Sequence, residues 1–399
     1  QNTIVGALAG DAVTTGGNNV AVGYQALSAE DAHGRNVAVG AYALKDQDAG
    51  AEGYNVAVGY QAGYAVTTGT HNILVGGLAG DSLTAGQYNV AVGYNALAGE
   101  DAHGRNIAIG TNALTALDAG ADAYNVAIGH NAGLSVSTGT HNVLLGGLSG
   151  DALTTGVGNI AIGYESLSTE DGDGKNVAVG HKTLKYQNAG ADAYNVAVGY
   201  QAGINVSTGA DNTIIGGLAG DALTTGTLNV AVGKAALGSE DTGSANVAIG
   251  HAALMNQNYN GSAYNTAVGH NAGTSVTTGI QNTIIGGLAG DALTTGMNNV
   301  AVGYNALSAE DGDSCNIAIG AHALEDQNAG ATAYNVAVGH AAGRNVTTGL
   351  KNNLLGGLAG DALTTGSNNV AIGYEALTTE DTGSRNIAIG QSALGSLNY

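Results

Sequence analysis

The sequence predicts an all-β fold, a parallel β-solenoid or β-roll built from short stacked rungs. Three observations predict it. The pentapeptide Asn-Val-Ala-Val-Gly, first seen clean at 19–23, recurs in 23 copies that begin at Asn2, Asn19, Asn36, Asn55, Asn72 and Asn89 and continue to Asn386. The steps between copies run 17, 17, 19 and 17 residues and then repeat, so four rungs form a 70-residue superrepeat with no insertion or deletion. A fixed period of this kind belongs to solenoids, propellers and fibres. Within each copy the β-branched residues alternate at period two, and Gly recurs too often for a helix.

The pentapeptide states its own environment. Side chains of an extended strand point alternately to opposite faces. Asn19, Ala21 and Gly23 therefore share a narrow face, and Val20 and Val22 form a β-branched wall on the other. Neither face is charged, so the strand asks for cover on both sides. The returning segment of the same rung covers the narrow face. The Val face needs a partner, and the simplest is the same face of another copy of the chain.

The four rung types follow in order. The first reads Asn-x-x-x-Gly-Gly-Leu-Ala-Gly-Asp-x-Leu-Thr-Thr-Gly, as at 212–226; its Gly-Asp and Thr-Thr-Gly pieces are turn chemistry. The second, from Asn19, reads Asn-Val-Ala-Val-Gly-Tyr-x-Ala-Leu and leads into a loop opening with Glu-Asp, as at Glu30-Asp31 and Glu100-Asp101. The third, from Asn36, carries two extra residues in a loop such as 118–124, which predicts a ridge on every fourth rung. The fourth, from Asn55, returns to a Val-Thr-Thr-Gly turn and places Tyr or His after the core Gly, as at Tyr60 and His130. Each rung is expected to hold a strand of about five residues, a second extended piece around Ala-Leu, and two turns. One continuous array over 1–399 is expected, a window of a longer fibre protein.

Composition agrees with a thin interior. There are 68 Gly and no Pro, Phe or Trp, so the core must be filled by Ala, Val, Ile and Leu. A net charge of −21 argues against nucleic acid and anionic membranes as partners, since both call for a basic patch. No apolar run is long enough to span a bilayer. The single cysteine, Cys315, replaces the basic residues Arg35, Arg105, Lys175 and Arg385 at its repeat position and reads as a surface substitution.

The motif Asn-x-Ala-[Val/Ile]-Gly resembles the head repeat of trimeric autotransporter adhesins (YadA-like heads). Similar Asn-x-Ala-x-Gly-Tyr-x-Ala-Leu and Thr-Thr-Gly arrays occur in bacteriophage tail fibres, and the resemblance covers the whole chain. It implies a left-handed parallel β-roll, three chains side by side, and a common core of Val and Ile. The adhesin repeat is shorter than these 17- and 19-residue rungs, so loop geometry does not carry over.

Candidate sites are few. The Asn column (Asn19, Asn36, Asn55, Asn72, Asn89 and onward) suits a hydrogen-bonded ladder, bonding up and down the stack or to turn backbone. Asp31 with Asp48, and Asp101 with Asp118, fall at one offset on adjacent rungs and are candidate Ca²⁺ ligands, as are Asp171 and Asp173 in an Asp-Gly-Asp-Gly run. Against this, the third-type partner becomes Asn188, Asn258 and Asn328 in later copies, and a solvated acidic ridge is the alternative. The ten His mostly interchange with Tyr and read as packing or surface positions. No nucleophile elbow, Walker loop, His-Glu-x-x-His or cysteine pair is present, so no enzyme and no resident cofactor are expected. The expected role is the structural shaft or head of an extracellular fibre on a virion or cell surface. Its expected partner is itself, as a homotrimer, with end-to-end assembly a further prospect. The rival expectation is an adhesin gripping surface glycan or another receptor through the periodic Tyr54, Tyr124, Tyr194, Tyr264 and Tyr334.

Overall fold

The computed structural model describes every residue except Asp173, Asp313, Glu380 and 397–399. The chain is an all-β parallel solenoid. It divides into two units, Gln1–Asn195 and Val196–Tyr399. The first holds strands β1 (Thr3–Val5) to β11 (Val177–Val179), and the second β12 (Val196–Val198) to β23 (Ile387–Ile389). Within each unit, successive strands pair parallel and in register. Val20, Ala21 and Val22 lie opposite Val37, Ala38 and Val39 in the first unit. Val230, Ala231 and Val232 lie opposite Val247, Ala248 and Ile249 in the second. The two extra residues of the third rung type leave register intact, as in Val37 opposite Val56. Among the described residues, no helix is long and apolar enough to cross a membrane.

Each strand spans three residues, fewer than the expected five. The core glycine ends it. Gly23 sits at φ +136°, outside the strand region, and a Cβ there would lie 2.5 Å from the carbonyl oxygen of Gly40 on the next rung. The expected extended piece around Ala-Leu is a run of turns instead. Gln25 (φ 51°) and Leu27 (φ 52°) are left-handed, and the intervening Ala26 is turned into the core with Leu27. A left-handed non-glycine residue costs about 1–2 kcal/mol. Bonds to the neighbouring rungs offset it: the Gln25 N–H donates to the Ala7 carbonyl at 3.1 Å and the Leu27 N–H to the Ala43 carbonyl at 3.0 Å.

The interior is as thin as the composition requires. Ala21, Ala38, Ala57 and Ala91 are fully buried, with Leu27 and Leu44 closing the far wall. Volume is conserved between rung types. Leu74 replaces the small central Ala on a first-type rung, and Gly63 and Gly80 on and beside it make room. A Cβ on Gly63 would meet Leu74 Cδ1 at 2.6 Å. Such replacement of small by large across facing positions keeps the core filled at constant cross-section.

Candidate functional site

Three features of the rungs bear on function: the buried Asn column, the outward strand face, and the acidic loops. The Asn column is buried except at its ends, where Asn2 is exposed and Asn386 half-buried. Asn36, Asn55, Asn72 and Asn89 are 0% exposed. The Oδ1 of Asn19 accepts the backbone N–H of Asn36 at 2.9 Å, and that of Asn36 accepts the N–H of Asn55 at 3.1 Å. Asn55 to Asn72 and Asn72 to Asn89 repeat the contact at 2.9 Å each. The amide nitrogens turn to the loops: Asn72 Nδ2 donates to the Gly86 carbonyl at 2.8 Å and Asn89 Nδ2 to that of His103 at 3.2 Å. Such a side chain satisfies one backbone donor and one turn carbonyl that burial would otherwise leave costly; on third-type rungs the nitrogen turns elsewhere, as from Asn36 to Glu30 Oε2 at 3.4 Å. On third-type rungs Gln47, also fully buried, accepts from Asn55 Nδ2 at 2.7 Å, an addition that the sequence reading did not assign.

The opposite strand face is uncovered. Ala21 is buried while Val20 and Val22 on either side are half-buried and face outward. The third strand position is Val, Ile or Leu in all 23 strands, although it faces out. In the first unit Val58 is 37% and Ile128 38% exposed; in the second, Ile285 is 40% and Ile319 39% exposed. The first strand position is nearly as apolar, interrupted only by Thr and by Asn353. No charged residue enters either column. The result in each unit is an apolar strip that runs from strand to strand along the outward face; extended exposed apolar patches mark interaction surfaces.

A column of rings borders the strip in sequence. The residue before each Asn gives Arg35, Tyr54, His71, Tyr88, Arg105 and Tyr124 on successive rungs. Tyr54, His71 and Tyr88 stack with centroids 5.0 Å apart, and Arg35 lies over Tyr54 at 5.2 Å. In the first unit rings of this column spend their faces on one another; in the second, Ala245 and Gln281 flank Tyr264, Cys315 and Lys351 flank Tyr334, and these two tyrosines are 61% and 57% exposed. A shallow pocket beside it is lined by Gln87, Tyr88, Ala102, Gly104, Arg105 and Asp122, with Asp122 ion-paired to Arg105.

The acidic loops bring residues of two rungs together. Asp31 and Asp48 meet, and so do Asp101 and Asp118, but each pair is joined by a Glu and a His that the sequence reading left out. Glu30, Asp31, His33 and Asp48 each offer a ligand atom within 4.8 Å of the others, and so do Glu100, Asp101, His103 and Asp118. The Asp side chains are exposed, the His half-buried, and both Glu fully buried. Glu100 Oε1 accepts the His103 backbone N–H at 3.0 Å. Burial pushes the Glu100 carboxyl above the usual carboxylate range; the backbone and ring of His103 pull it back, and Asp118 raises it further. Glu30 is raised by burial in the same way. Asp171 is exposed and joins no such cluster among the described residues. Its carbonyl accepts the Thr154 hydroxyl at 2.6 Å, and Asp173 lies outside the described residues. A sequence signal for the missed ligands existed. His stands two residues after the Glu-Asp pair only at His33 and His103, in the same two superrepeats that carry Asp48 and Asp118.

No protein-family model matches this chain, and no curated protein sequence matches it.

Proposed function

We propose that the chain is a structural segment, shaft or head, of an extracellular fibre, and that its copies assemble side by side through the outward Val and Ile face. The observation that carries the proposal is the third strand position, apolar on every rung yet more than a third exposed on many of them. A monomeric solenoid has no reason to keep β-branched residues at a solvent-facing position rung after rung, because Thr or Lys would serve there equally well. The same face of a second and third copy matches it in length, register and chemistry. Three copies is the number that the resemblance to trimeric adhesin heads implies. In such an assembly the strip becomes a common core, and the loops with their carboxylates stay in solvent and oppose lateral aggregation. The role is mechanical: every rung is bonded to the rungs above and below, so the segment holds its length while other parts of the fibre make contact.

The rival reading is an adhesin that grips glycan through the Tyr-bearing column. Sugar rings stack on open aromatic faces. Tyr54 has His71 against one face and the Arg35 guanidinium near its ring, which favours a structural use of the column in the first unit; Tyr264 and Tyr334 in the second have no ring neighbour on the column and are the tyrosines left for a glycan. The test is to replace Ile285 and Val302, outward neighbours in paired strands, with Lys. The assembly is expected to fall apart into folded chains; an unchanged assembly would place the contact elsewhere.

A further inference from the structure

We propose that Glu100, Asp101, His103 and Asp118 form a binding site for a divalent transition-metal ion of the zinc class, and that Glu30, Asp31, His33 and Asp48 form a second one a superrepeat earlier. The ion would tie the acidic loop of one rung to the long loop of the next.

The geometry comes first. One ligand atom from each of the four residues lies within 4.8 Å of the other three. A tetrahedral zinc site with bonds of about 2.0–2.1 Å separates its ligand atoms by about 3.3 Å. Closing that gap asks only for rotation of Asp101 and Asp118, which are exposed. The fixed half of the site is already in place. Glu100 is held by the His103 backbone N–H at 3.0 Å, and the His103 carbonyl is held by Asn89 Nδ2 at 3.2 Å.

Unpartnered atoms give the second observation. Glu100 is 0% exposed, and its Oε2 has no well-formed hydrogen bond; besides the His103 N–H, only the Ala119 backbone N–H acts on the carboxylate. The Nδ1 atoms of His103 and His33 are buried and make none either. A buried carboxylate oxygen without a partner is costly. The His103 ring lies 3.5 Å from Glu100 Oε1, which leaves Oε2 for a metal ion; in the Glu30 cluster Oε2 already accepts from Asn36 Nδ2 at 3.4 Å, so the orphaned oxygen is that of Glu100. Solvation of an acidic ridge does not account for it, because Glu100 does not reach solvent.

A third observation comes from the repeat itself. The position of His33 and His103 becomes Asp173, Gly243, Asp313 and Gly383 in the other superrepeats, and that of Asp48 and Asp118 becomes Asn188, Asn258, Asn328 and Asn398. His and the second Asp are thus present together twice and absent together four times. Sharing one ion is a reason for residues on different rungs to occur together; the non-ligand Ala32 and Ala102 are confined to the same two superrepeats. The imidazole also decides the metal. Calcium takes oxygen ligands, whereas imidazole with carboxylates suits zinc and its neighbours.

The whole chain, titrated with Zn²⁺ and separately with Ca²⁺ by isothermal calorimetry, tests the inference. Saturable zinc binding is expected, with no saturable calcium binding. The Glu100 site is to be lost in Asp118→Asn and in His103→Gly, and the Glu30 site in Asp48→Asn. These replacements are the residues that later superrepeats carry at the same positions, so folding is preserved, and circular dichroism checks it. Absence of saturable zinc binding would overturn the proposal. So would zinc binding that all three variants leave unchanged, which would place the ion elsewhere, as at the stacked His251 and His270. Calcium binding that survives His103→Gly would return the loops to an oxygen-only site.

Discussion

The Oδ1 of Asn142 accepts the backbone N–H of Asn159 at 2.9 Å, and the Nδ2 of Asn142 donates to the Gly156 carbonyl at 2.8 Å. A single buried side chain thus reaches the next rung through its oxygen and closes the turn of its own rung through its nitrogen. Asn142→Ala would leave both partners unpaired inside the solenoid. At about 1–3 kcal/mol for each buried unsatisfied group, a loss of about 2–6 kcal/mol is expected. Chemical denaturation of the variant and parent measures it; a loss below about 1 kcal/mol would show that water or a neighbour replaces the Asn at little cost.

The core glycines make a complementary demand. Gly93 sits at φ +138°, and a Cβ on it would lie 2.5 Å from the Gly110 carbonyl oxygen. Gly93→Ala carries both a strained backbone and a clash with the next rung. The strain alone is worth about 1–3 kcal/mol, so the variant is expected to unfold at lower denaturant than a Tyr94→Ala control on the exposed neighbour. Equal midpoints for the two would refute the close approach of the glycine column.

The stability of the chain is expected to rise on mild acidification. Asp81, Asp151, Asp221, Asp291 and Asp361 share one position of the superrepeat, and burial holds each carboxyl above the usual carboxylate range. Burial does the same to Glu240, whose Oε1 accepts the Gly243 N–H at 2.7 Å. Between the unfolded and the raised folded pKa the native state binds more protons, so stability falls as pH rises through that window. The melting temperature should therefore be higher at pH 5 than at pH 7 at constant ionic strength. Protonation also lowers the net charge of −21, which acts in the same direction. Glu240→Gln separates the two: it should raise the melting temperature at pH 7 and flatten the pH dependence. A variant less stable than the parent at pH 7 would mean that the buried charge is stabilising.

Much of the fold was legible because the repeat places the same chemical question 23 times. The alternation of Val20, Ala21 and Val22 announced which face turns inward, and the Asn column announced a buried polar line. The turn run after Gly23 was not legible. Gln25 and Leu27 adopt left-handed backbone for which their side chains give no cue; the bonds from neighbouring rungs impose it. The acidic clusters were half legible. The offsets brought out Asp31 with Asp48 and Asp101 with Asp118. The burial of Glu30 and Glu100 and the approach of His33 and His103 depend on the path of a loop, which composition and spacing leave open.

The solution mass of the 399-residue chain, by light scattering behind a sizing column, tests the central claim most directly. Assembly through the Val and Ile face predicts a mass near three times the chain mass of 38.9 kDa. A stable species at 38.9 kDa would contradict it, and the outward apolar strip would then have to stay open to solvent in a lone solenoid.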